Sequence, residues 1–169
     1  RTATLAFKAG QYENRGTKDQ PEITWVGYVK REELKDVCKR LTDVQGYTDE
    51  AVREVRKKND YKGAAAFGSK VHKVIADEVE AGNNPDLRAE RSWIKSKLEA
   101  AYHGEKNSVR IDVYEYVREI STVCVYDPKT GLRGLSLPRM GELAHTAYWL
   151  FGNKPKHIIV IEIRPGQIQ

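Results

Sequence analysis

Cysteine is scarce, and that scarcity bounds the chain first. Two cysteines, Cys38 and Cys124, stand in 169 residues. Two are too few for the disulfide framework of a small secreted domain, and Cys124 reads as a small buried strand residue. Long apolar runs are also missing. No stretch approaches the roughly 18–20 residues that span a bilayer, so no membrane anchor is expected. No secretory leader, internal repeat or low-complexity tract is present. The first residue is Arg1 rather than methionine, which reads as a fragment of a longer chain or a processed product.

Charge is what the chain has in quantity. It is 31% charged and 40% hydrophobic, with a net charge of +5 and a pI near 9.1. That composition predicts a globular protein with a real core, the strands and helices read below make it α/β, and the basic surplus suits a polyanionic partner. The length suggests one domain, perhaps with a small appendage.

The first 30 residues hold two short apolar runs around a turn-rich middle. Leu34, Val37, Cys38 and Leu41 then recur at helical spacing. Gly46 interrupts that pattern. A second helix is predicted from Thr48 to about Lys58, mostly charged and so solvated. Residues 1–62 therefore read as a helical N-terminal layer or subdomain. A longer helix is predicted over 64–82, with Val71, Ile75 and Val79 as its apolar stripe and His72 beside it. A lone histidine in such a place is commonly a satisfied core residue. Next come a strand over 87–94, an ambiguous stretch over 95–106, a strand over 108–115 and a strand from Val123. Ser136 is expected to cap a helix over 137–151. The near-continuous apolar run His157–Ile163 reads as a strand covered on both faces.

Two strands carry groups suited to chemistry. On the first, Val123, Val125, Asp127 and Lys129 share a face. The strand then turns at Pro128 and Gly131. On the second, Val109, Ile111 and Val113 form one face, and Arg110, Asp112 and Tyr114 the other. If the strands pair, Asp112 and Asp127 meet on one side of the sheet. Two close carboxylates repel unless a cation neutralises them, and a hard divalent metal is the natural choice. Lys129 then lies beside that ion. The plainer reading makes Asp127 a turn residue and Asp112 half of an ion pair with Arg110 or Lys129. Glu90, on the 87–94 strand, is a further acid; its plainer role is pairing with Arg88 or Arg91. Arg139, early in the last helix, suits a phosphate contact or a merely exposed position.

Three elements in order, Gly68-x-x-x-His72, Asp112 within Arg110-Ile111-Asp112-Val113, and Asp127-Pro128-Lys129-Thr130-Gly131, resemble the PD-(D/E)XK nuclease superfamily. The likeness is to its branch of bacterial recombination helicase-nucleases and covers about residues 64–165. It implies a restriction-endonuclease-like mixed sheet flanked by helices, with residues 63–169 as the nuclease core. It implies Mg²⁺ or Mn²⁺ held by His72, Asp112, Asp127 and the carbonyl of residue 128, with Lys129 catalytic and Glu90 completing the shell. Arg139 and Lys70 would then hold the nucleic-acid backbone. Pro128 stands where the family usually has a bulky residue, and the last helix has Tyr148 but lacks the family's glutamine. The stretches Leu87–Glu90 and Gly134–Ser136, with the Asp112 strand and the Asp127 turn, also resemble nuclease domains at the C-termini of bacterial polymorphic toxins. Those are delivered into a rival cell's cytoplasm and neutralised by a cognate immunity protein.

The reading is therefore a metal-dependent nuclease, with DNA favoured. Alternatives are the same site acting on RNA or tRNA, a non-enzymatic basic binding module, and an interaction domain capping a larger secreted protein.

Overall fold

A computed structural model of the chain describes residues 7–89, 110–151 and 155–166. They form one six-stranded mixed sheet with helices on both faces. The strands are β1 (Lys8–Asn14), β2 (Ile23–Tyr28), β3 (Leu87–Ala89), β4 (Val113–Val117), β5 (Thr122–Pro128) and β6 (His157–Ile163). Their order across the sheet is β2-β1-β6-β5-β4-β3. Only β5 and β6 run parallel; the other pairs are antiparallel. The helices are α1 (Arg31–Val37), α2 (Leu41–Lys58), α3 (Gly63–Ala81) and α4 (Leu137–Leu150). No helix among the described residues is long and apolar enough to cross a membrane.

Two cores follow from the alternation of the central strands. Cys124, Tyr126, Ile159 and Ile161 face one side, where they pack with Leu34, Val44, Val52, Val71 and Ile75 of α1–α3. Val123, Val125, Ile158 and Val160 face the other, against Met140, Leu143, Ala147 and Tyr148 of α4. Both faces of β5 and β6 are thus covered, which is why their sequences read as apolar runs. Ser136 caps α4 by accepting from the Arg139 N–H, as expected. Gly10 on β1 permits a close approach: a Cβ there would lie 2.4 Å from the Trp25 ring.

Several expectations need correction. Gly46 does not interrupt a helix, and no helix starts at Thr48; α2 runs unbroken from Leu41 to Lys58. Nor is α2 only solvated, since it buries Leu41, Val44, Gln45, Thr48, Ala51, Val52 and Val55. Its buried stripe includes Gln and Thr, which hid the apolar period. Residues 1–62 supply two strands of the common sheet as well as α1 and α2. The two cysteines are joined: Cys38, at the C-terminus of α1, is disulfide-bonded to Cys124 of β5 across 86 residues. The alternation through 109–115 also breaks. Ile111 packs on the α4 side while Val113 packs on the α3 side, because pairing in β4 begins only at Val113. The strand over 87–94 is seen as Leu87–Ala89; its remainder, Glu90 and the stretch 95–106 lie outside the described residues.

Candidate metal centre

The break before β4 lies at the centre of the site. The last rung toward that end pairs Val113 with Tyr126; Asp112 immediately precedes Val113 and Asp127 immediately follows Tyr126, and the charge of Asp112 acts on Asp127. Asp127 is 6% exposed. Burial pushes its carboxyl up to about 6; the Lys129 ammonium opposes that rise and the charge of Asp112 adds to it.

Lys129 and His72 complete the group. Lys129 Nζ is 3.3 Å from Asp127 Oδ2, and its backbone N–H donates to the Ile163 carbonyl at 2.8 Å. His72 reaches over the sheet's rim from α3. Its Nε2 donates to the Pro128 carbonyl at 2.8 Å, and its Nδ1 is 3.6 Å from Asp112 Oδ2. A carbonyl can only accept, so the proton on that ring belongs on Nε2. Nδ1 then presents Asp112 either a second N–H or a lone pair. Gly68 explains how α3 comes so near: a Cβ there would stand 3.3 Å from Thr130 Oγ1, so a side chain would crowd the turn after Lys129.

The donors have the chemistry of a hard divalent ion's shell: two carboxylates, a carbonyl oxygen and an imidazole nitrogen. As they stand, no three His, Cys, Asp or Glu side chains among the described residues are grouped to hold an ion. The fit rests instead on two carboxyl groups close enough for the charge of one to act on the other, a repulsion that a cation would relieve, and on the Pro128 oxygen held by His72.

The other sequence-predicted residues lie elsewhere or apart. Arg110 Nε is 4.0 Å from Asp112 Oδ1 at an exposed position. Lys70 pairs with Asp60 at 3.3 Å and lies about 200° round α3 from His72. Arg139, in the first turn of α4, is exposed and pairs with Glu142 at 3.1 Å. Glu90 is outside the described residues.

Sequence reasoning missed a polar row beside the acids. Asp127 is in register with Glu162, and Glu162 with Lys8. Glu162 and Arg164 are both buried and joined by a 2.7 Å bond from Arg164 Nε. Lys8 Nζ donates to the Leu135 carbonyl at 2.7 Å. The available signal was Glu162 itself, the lone acid in an otherwise apolar strand.

No family model, curated protein or solved structure matches the chain.

Proposed function

We propose that this protein is a divalent-metal-dependent nuclease of the PD-(D/E)XK type. One observation carries the reading: Asp112, Asp127, Lys129 and His72, drawn from distant parts of the chain, meet at one rim of the sheet, where His72 also bonds the Pro128 carbonyl. Asp112 and Asp127, with the Pro128 oxygen and His72, would hold Mg²⁺ or Mn²⁺. Bound there, the ion supplies a polarised scissile phosphate and a more acidic water. Lys129, anchored through its backbone, places an ammonium beside the reacting phosphate to orient the water and offset charge building on oxygen. Asp127 must shed its proton before this arrangement works. The basic surplus suits the nucleic-acid backbone.

The test is cleavage of plasmid DNA, and in parallel of RNA, with and without Mg²⁺. Asp127→Ala and Lys129→Ala should abolish cutting while circular dichroism stays unchanged. Variants that cut like the parent would sink the assignment; cutting of RNA alone would move the substrate, not the site.

The toxin setting, with delivery by a larger bacterial protein, action in the target cytoplasm and a cognate immunity partner, rests on the resemblance of the 87–90 and 134–136 stretches. Expression of the active chain in a bacterial cytoplasm should then arrest growth, and Asp127→Ala should relieve the arrest. Growth unaffected by the active chain would count against it.

A further inference from the structure

We propose that Arg164 is a positioning residue for Lys129, an inference that rests on the nuclease reading and adds a residue to that site's machinery. Arg164 follows β6 and is 6% exposed. Two of its guanidinium bonds bear on the turn. Nε donates to Glu162 Oε1 at 2.7 Å, and Nη1 donates to the Gly131 carbonyl. The turn that begins with Lys129 is therefore tied to β6 at two points: the Lys129 N–H to the Ile163 carbonyl, and the Gly131 carbonyl to Arg164.

The tie is itself braced from α2. Gln45 Nε2 donates to the Arg164 carbonyl at 2.7 Å. Asp49 accepts from the same Gln45 amide at 3.0 Å and from the Gly166 N–H at 2.7 Å. Gly134 leaves space above the pair, since a Cβ there would lie 3.3 Å from Glu162 Oε1 and 3.4 Å from Arg164 Nη2. A buried ion pair gives little net stability beside an apolar replacement. What it supplies here is direction: a planar fork with one arm neutralised by Glu162 and another fixed on a loop carbonyl. A lysine could keep the charge but not both bonds. Lys129 has a flexible stem, and holding its backbone is the means by which the fold keeps its ammonium near Asp127.

The experiment pairs two readouts on Arg164→Lys, with Glu162→Gln as a second variant that keeps the side-chain volume. Amide hydrogen exchange should rise about tenfold or more at Lys129, whose N–H bonds the Ile163 carbonyl next to Arg164, as the turn loosens on loss of a charge-assisted bond. Exchange at Val125 and Val160 in the core should stay as in the parent. Single-turnover cleavage should slow about tenfold or more, with KM within about twofold of the parent. Unchanged loop exchange overturns the inference, whatever the activity. Faster loop exchange with parental cleavage rates also overturns it, as does faster exchange throughout the core in both variants, which would make the pair structural. A parent that cuts no nucleic acid with Mg²⁺ is the separate result that overturns the nuclease reading, and the role of Arg164 in it.

Discussion

His72 Nδ1 lies 3.6 Å from Asp112 Oδ2, although one residue is on a helix and the other precedes a strand. The same ring holds the Pro128 carbonyl through Nε2. The imidazole therefore links the Asp112 end of β4 to the Asp127 end of β5. His72→Phe keeps the ring's bulk and removes the bond to Pro128 and the contact with Asp112. Mn²⁺ affinity, read by calorimetry, should fall about 10–100-fold, with the melting temperature lowered by only a few degrees. Parental Mn²⁺ affinity in this variant would exclude the ring from the centre.

If the site binds a cation as proposed, Asp127 makes that binding depend on pH. Its folded carboxyl is raised to about 6 from an ordinary 3.8, so the folded state holds the proton more tightly than the unfolded chain. The stability this gives is complete below about pH 4 and is lost as pH rises toward about 6. A divalent cation bound as proposed would compete for the same oxygens. Excess Mg²⁺ should raise the melting temperature by about 5–10 °C near pH 7.5 and by much less near pH 5. Asp127→Asn should abolish that difference. A Mg²⁺ response that is equal at both pH values would place the ion elsewhere.

The Cys38–Cys124 disulfide ties the end of α1 to the centre of the sheet and closes a loop of 86 residues. Both cysteines are fully buried. Cys38→Ser with Cys124→Ser should lower unfolding free energy by about 3–5 kcal/mol in urea titrations, largely by freeing the unfolded chain. Cys124 points to the α3 side and Asp127 continues the α4 side of β5. Metal-dependent cleavage below the lowered melting temperature should therefore persist. Loss of cleavage with the fold intact would show that the bridge shapes the site.

Much of the fold was legible wherever one period dominated. The stripe Val71, Ile75, Val79 gave α3, the run His157–Ile163 gave β6, and Ser136 marked the start of α4. One element, α2, was misread where polar residues sat on its buried face. Gln45 and Thr48 are buried in α2 through bonds to Arg164 and Val44, so their burial answers to partners far along the chain or to the helix itself. Asp112, Asp127, Lys129 and His72 were found by motif order and strand alternation. How Asp112 reaches His72 was not readable, because it depends on the alternation failing at Asp112. Nor was the disulfide, since spacing alone does not pair two distant cysteines. Glu162 and Arg164 passed unnoticed because a register across two strands set their meaning.

Glu115 carries a second pH dependence, on the opposite face of the sheet from α4. It is 3% exposed and accepts from the Tyr126 hydroxyl at 2.6 Å and the Arg40 N–H at 3.1 Å. Arg40 is the N-cap of α2 and makes no side-chain cap bond, so a strand carboxylate does the capping from a distance. Burial pushes the Glu115 carboxyl up from the ordinary 4.5, and its two donors oppose the rise. Stability from this group is complete below about pH 4.5 and declines as pH rises through the folded value. Because Asp127 slopes the same way, the measurement belongs in an Asp127→Asn background. There, urea unfolding should still show stability falling above about pH 4.5, and adding Glu115→Gln should flatten the curve. Glu115→Ala should instead lower stability by about 2–4 kcal/mol at every pH, because it leaves a buried hydroxyl and an N–H without their acceptor. An unflattened curve in the Gln variant would assign the slope to another group.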